Sequence, residues 1–261
     1  MDTDEQEKMG RMRIAVAGAT GTAGRHVVDV AVEHGHDVVP LTRSSGVDLT
    51  TGDGLAERLT GVDAVIDVAN APVQKQAEAF FGAVTRHLLA GEREAGVGHH
   101  VALSIIGIDD VPWGYFLGKV RQERLLTGAD QPWSLLRAAQ FHEFAEQALG
   151  FARLGPVCMV PRMRSQPVAA REVAQALVAL AEQGPTGRVP DLAGPEVHLM
   201  HDLARRFSRA RGLGRRVVPV PLPGAAGRRM RDGSLTAADD PTAVLGRTTF
   251  TTWLDGVADG R

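Results

Sequence analysis

The stretch RIAVAGATGTAG, residues 13–24, decides the fold. RIAVA is a short apolar run that reads as a strand. It closes on Gly18, and Gly21 and Gly24 follow at three-residue spacing. RHVVDVAVEHG (25–35) then sets apolar residues at helical spacing and stops at Gly35. A strand, a tight glycine turn and a helix make the first half of a βαβ unit. In such a turn the first glycine permits the reversal and the second lets backbone approach a pyrophosphate. The third lets helix pack on strand, and the helix N-terminus offers free N–H groups. A dinucleotide is therefore expected at Gly18, Thr20, Gly21, Thr22, Ala23 and Gly24; the competing reading is a tight turn with no ligand.

Outward from this turn, HDVVPLTR (36–43), DAVIDVAN (63–70), HHVALSIIG (99–107) and PWSLLRAA (132–139) read as further strands. LAERL (55–59), residues 73–94 and YFLGKVRQERLL read as the helices between them. This alternation predicts an α/β fold of the doubly wound Rossmann type, a parallel sheet with helices on both faces. No crossover helix fits between residues 43 and 48, so a third strand there must be short or vestigial. From Phe141 the rhythm loosens into a short helix, a strand around VCMV (157–160), helices at AREVAQALVALAEQG and HDLARRFSRARG, and the Pro/Gly-rich VVPVPLPGAAG. The expected organisation is a tail (1–11), a dinucleotide-binding core (12–141) and a smaller C-terminal substrate lobe (142–261) packed on it.

Composition excludes several classes. A chain of 261 residues with net charge −2 and pI near 6.5 has no broad field for nucleic acid or an anionic membrane. The arginine-rich ARRFSRARGLGRR comes without an aromatic platform and suits a solvated helix face. Small-molecule partners are expected, with no nucleic acid and no membrane; the oligomeric state stays open. The lone cysteine, Cys158, sits among apolar residues and reads as a buried thiol in a reducing cytoplasm. The N-terminal MDTDEQEKMGRM is polar and acidic, unlike a signal peptide or anchor.

The second strand ends LTRSS, offering Arg43 and Ser44 where an NAD site usually offers an acid. That favours NADP(H), against the alternative of a solvated loop arginine. Asp48 and Leu49 are the expected adenine contacts.

GYFLGK (114–119) holds the only tyrosine of the chain and one of its three lysines, beside 26 arginines. Tyr115 and Lys119 stand four apart, on one helical face. A phenol ionises near pKa 10, and a neighbouring ammonium favours its phenolate. Ser104 lies near the carboxyl end of the preceding strand. These three residues are the expected catalytic set, with Tyr115 as acid/base, Lys119 as ribose anchor and tuner, and Ser104 as hydrogen-bond donor to a substrate oxygen. The competing reading is a packed ring and a solvated lysine.

Together GATGTAG (18–24), LTRS (41–44), DVAN (67–70), LSIIG (103–107), GYFLGK, PWSLLRAAQF (132–141) and QPVAAREVAQAL (166–177) resemble the short-chain dehydrogenase/reductases, specifically their atypical, NmrA-like branch. The resemblance implies that Ala69, Asn70 and Ala71 line the cofactor after a fourth strand, and that Ala138, Ala139, Gln140 and Phe141 pass near the nicotinamide. Together with the residues above, the reading is an NADPH-dependent oxidoreductase acting on a carbonyl or conjugated group of a small, fairly apolar molecule, with an epimerase that retains its cofactor as an alternative; the resemblance also leaves room for a non-catalytic NADP-binding sensor. No metal site is expected: His99 and His100 lack a ligand constellation, and His198 and His201 lack a third ligand. His142, beside Glu143, is read as facing the pocket, where packing or substrate shaping competes with proton donation. Trp113 and Trp253 frame that pocket or fill core.

Overall fold

The computed structural model describes residues 10–111 and 113–258; most of the expected tail lies outside them. The elements in chain order begin with β1 (Arg13–Ala17), α1 (Thr22–Glu33), β2 (Asp37–Leu41), α2 (Leu55–Leu59), β3 (Ala64–Asp67), α3 (Ala77–Ala95), β4 (His99–Ile105), α4 (Gly114–Thr127) and β5 (Trp133–Ala138). They continue with α5 (Phe144–Ala148), β6 (Arg153–Leu154), β7 (Val157–Pro161), β8 (Arg164–Ser165), α6 (Ala170–Gln183), β9 (Gly187–Arg188), β10 (Leu192–Ala193) and β11 (His198–Leu199). The chain closes with α7 (Met200–Ala210), β12 (Arg216–Val220), α8 (Gly224–Asp232), β13 (Val244–Leu245) and α9 (Phe250–Ala258).

The main sheet runs β13-β10-β5-β4-β3-β1-β2, with β9 beside the start of β5. Its pairings of β1 with β2 and β3, β3 with β4, β5 with β9 and β10, and β10 with β13 are parallel, among them Ala15 to Val39 and Ala15 to Val65 around β1. Every residue of β3 and all but the last of β4 are buried, as strands covered on both faces must be. The edge strand β2 alternates instead. The third strand, expected to be short or vestigial, is reduced to an isolated bridge, Asp48 to Asp53, among the described residues between β2 and α2. Too few residues separate them for a strand and its crossover. DAVIDVAN is therefore the third strand, β2 lies at the sheet edge, and the order reverses between β1 and β3. In open α/β sheets that reversal is where ligands bind.

The chain divides into two compact units. The first comprises residues up to Ser104 with 117–136 and 173–189; the second comprises 105–116, 137–172 and 190 onward. In the first, Val39, Leu41, Leu55, Leu59, Val65, Val84 and Leu88 form a core. In the second, Cys158, Val160, Leu203, Phe207, Val217 and Phe250 belong to another, which confirms Cys158 as a buried thiol. The second unit also holds a three-stranded sheet, β12-β7-β6, with β12 parallel to β7. Among the described residues no helix is long and apolar enough to cross a membrane.

Candidate functional site

The glycine turn is built for close backbone approach. Gly18 has φ +83°, and a Cβ on it would lie 2.8 Å from Ala69 Cα and Val68 O. The Gly21 amide closes the turn on Gly18 O at 2.9 Å. Gly24 packs harder still, since a Cβ there would fall 2.0 Å from Gly18 O. α1 starts on Gly21 with no side-chain cap and no acid in its first turn. The N–H groups of Thr22, Ala23 and Gly24 have no helical acceptor. Close backbone packing at three glycines, beside uncapped donors at the positive end of a 12-residue helix, suits a pyrophosphate. The residues present thus fit the expected dinucleotide.

Beyond β2, Thr42 caps a single 3-10 turn, Arg43–Ser45, in a reciprocal box with Ser45. The turn leaves Arg43 and Ser44 exposed, with the Arg43 guanidinium 3.6 Å from Asp48. Hydrogen bonds from the Thr50 hydroxyl and amide hold the Asp48 carboxyl below the usual carboxylate range, with Arg43 adding to the effect. Leu49 packs against the core, and its carbonyl meets His87 Nδ1 at 3.2 Å. After β3, Ala69 and Ala71 are buried and Asn70 is exposed.

Ser104, on β4, is 1% exposed, and its hydroxyl has no hydrogen-bond partner among the described residues. Such a group costs about 1 to 3 kcal/mol unless something satisfies it. Lys119, one turn after Tyr115 on α4, is also buried. Its Nζ donates to Leu103 O and to Gln122 Oε1, both at 2.8 Å, and lies 4.4 Å from the centre of the Phe81 ring. Gln122 Nε2 donates in turn to Asp67 Oδ2 at 2.7 Å, and Asp67 Oδ1 accepts the Ala69 amide at 3.0 Å. Burial pushes the Lys119 ammonium down to about 8, with Asp67 and Glu123 pulling it back up. Gly118 makes this arrangement possible: a Cβ there would stand 2.8 Å from the Ala77 carbonyl and from Phe81. The absent side chain lets α4 lie against the start of α3, with Phe81 under the ammonium.

The structure thus brings Ser104 and Lys119 to neighbouring points of β4, and the solvated-lysine reading of Lys119 fails. Asp67 and Gln122 were missed. The signals were an acid ending an apolar strand, and a glutamine three residues after the lysine, on the same helical face.

In the second unit Tyr115 is half-buried, edge-on to Phe116 at 6.2 Å between ring centres. Ala138 pairs with Leu192, the Ala139 amide donates to Leu192 O, and Phe141 bridges to Val168. For His142 the geometry is that of the packing reading rather than of a proton donor: the residue is 1% exposed, with Phe250 and Trp253 centred 5.7 and 5.5 Å away and Nε2 at 3.1 Å from Thr248 O. Trp253 is partly buried and packs against the same cluster, and Trp113 is exposed. His99 meets Ser134 at 2.9 Å and His100 meets Glu92 at 2.7 Å, both buried.

A family model described as NAD(P)H-binding matches residues 18–184. Photosystem II assembly factor Ycf39 of Synechocystis sp. (strain ATCC 27184 / PCC 6803 / Kazusa) is 36% identical over 74 residues, covering only 23% of either chain. Among solved structures, MoeE5 in complex with UDP-glucose and NAD aligns with TM-score 0.69 at 18% identity, covering 95% of this chain and 99% of that one. UDP-N-acetylglucosamine 4-epimerase from Bacillus cereus aligns at 0.66 and 19%, covering 95% of each. An NADPH-dependent quinone oxidoreductase from Escherichia coli, complexed with NADPH, aligns at 0.63 and 19%, covering 94% and 99%. At these identities the likeness is one of fold.

Proposed function

The chain belongs to the NAD(P)H-binding family, and from that premise we propose that it is an NADPH-dependent oxidoreductase acting on a carbonyl or related conjugated group of a small, fairly apolar molecule. The observation that carries this reading is the Ser104 hydroxyl, buried without a partner among the described residues, one residue beyond the carbonyl that anchors Lys119. A substrate oxygen would supply the missing acceptor.

In this reading the Gly18–Gly24 turn takes the pyrophosphate on the α1 amides. Arg43 and Ser44 take the 2'-phosphate, which competes with Asp48 for the guanidinium, and Asp48 and Leu49 border the adenine. Ala69, Asn70 and Ala71 follow the cofactor past β3, and Ala138, Ala139 and Phe141 belong to its nicotinamide end. When bound there, NADPH would supply a hydride to the carbonyl carbon, with one proton going to the oxygen, to give alcohol and NADP+. Ser104 donates a hydrogen bond to that oxygen as charge builds on it, and Tyr115 delivers the proton. Lys119 favours the phenolate that remains, through its charge. Asp67 and Gln122 hold the ammonium in place.

One observation favours a second reading, a non-catalytic NADP-binding sensor: the Lys119 ammonium is already engaged by Leu103 O, Gln122 and the Phe81 ring. Ser104→Ala separates the two. For an enzyme, removal of one donor to the developing oxyanion lowers kcat about 10²-fold or more, while the apo protein is as stable as the parent or gains about 1 kcal/mol from losing an unsatisfied hydroxyl. Turnover against a carbonyl and quinone panel that survives Ser104→Ala intact would remove Ser104 from the chemistry.

A further inference from the structure

Away from the glycine turn, still within the first unit, the α1–β2 connection reads HGHD (34–37). Gly35 has φ +82°, a conformation that L side chains rarely adopt. The reversal it allows turns two imidazoles toward one atom. His34 Nδ1 lies 2.8 Å and His36 Nε2 2.9 Å from Oε1 of Glu182, in the last turn of α6. The three atoms all lie within 4.8 Å of one another. The His36 side chain is buried, whereas His34 and Glu182 are partly open to solvent.

We propose that His34, His36 and Glu182 form a site for a divalent transition metal, Zn2+ being the ion their donors fit, with water as fourth ligand. Two imidazole nitrogens and one carboxylate oxygen are borderline donors of the kind zinc takes at about 2.0 to 2.2 Å. A tetrahedron of such bonds has edges of roughly 3.3 Å, so the cluster must open by a few tenths of an ångström. The exposed His34 and Glu182 side chains can move that far.

The electrostatics point the same way. α1 and α6 each end without a basic residue in the last turn, His34 is the C-cap of α1, and Glu182 adds a full negative charge. A cation here would offset two negative helix ends and a carboxylate. One contact opposes it: His36 Nδ1 accepts the Met12 amide at 3.2 Å, which places the ring's proton on Nε2. Zinc at Nε2 must move that proton to Nδ1 and displace the Met12 amide. The affinity should accordingly be micromolar, weaker than closed four-ligand structural sites.

The test is calorimetric titration of the metal-free, untagged full chain with ZnCl2, repeated on His34→Ala and Glu182→Ala. Both variants change partly exposed side chains, so the fold should persist. The expected result is one zinc per chain, weakened at least tenfold in each variant. Zinc at a hundred times its Kd should lower the parent's unfolding constant about a hundredfold and that of the variants much less. Absence of saturable binding up to about 100 µM zinc would overturn the proposal. So would parental affinity in His34→Ala, which would assign the ion to other histidines.

Discussion

Gly24→Ala tests the architecture of the turn, because local propensity and tertiary packing there predict opposite signs. Position 24 is the third residue of α1, and in a helix alanine is favoured over glycine by about 1 kcal/mol. Any net loss must therefore come from overlap. The added Cβ would stand 2.0 Å from Gly18 O, 2.7 Å from Gly18 C and 2.8 Å from Ala19 Cα, where ordinary contact begins at 3.4 Å. All three neighbours are backbone, so no side-chain rotation relieves the clash and the turn must move. We expect a net loss of about 2 to 4 kcal/mol in apo stability, measured by urea denaturation. NADPH affinity, read by cofactor fluorescence, should fall more than about tenfold as the α1 amides leave their positions. Gly21→Ala is the internal control. Its Cβ would meet the same oxygen at 3.2 Å, a contact a small shift can absorb. A Gly24→Ala protein as stable as the parent with unchanged NADPH affinity would refute this packing, as would a larger loss at position 21.

Lys119 gives a pH signature. Its ammonium is held near 8 in the folded chain against 10.5 for the free group, so the unfolded chain binds more protons between those values and stability rises with pH across that window. Lys119→Met should flatten this rise in urea melts from pH 8 upward; equal slopes in both proteins would show that the buried ammonium is not depressed. Arg43→Glu should cut NADPH affinity roughly tenfold to a hundredfold and leave NADH affinity nearly unchanged. An unaltered preference would assign the 2'-phosphate elsewhere.

Much of this was legible because the decisive signals are local. RIAVAGATGTAG fixes a strand, a turn and a helix within twelve residues, and four further apolar runs fix the parallel strands beside it. The resemblance to the atypical short-chain dehydrogenase/reductases is borne out by the family match and the fold. What escaped lacks a local period. β10 and β13 are two residues each, too short for alternation to register, yet they extend the sheet. β12 and α8 lie in a Pro/Gly-rich stretch whose loop composition hid both, and α9 went unread. Asp67 looks like one more residue of a buried strand until Gln122, 55 positions later, meets it. His34 and His36 are separated from Glu182 by 148 and 146 positions, so only folding discloses that they share an oxygen.

The measurement that bears most directly on the proposed chemistry is the comparison of Tyr115→Phe with the parent for NADPH binding and for NADPH consumption with a carbonyl and quinone panel. Loss of the phenolic proton should lower turnover by about 10² to 10⁴-fold, with cofactor affinity kept within about threefold. Equal turnover in the two proteins would contradict the account, and so would NADPH binding by the parent without consumption on any substrate, which would leave a cofactor receptor.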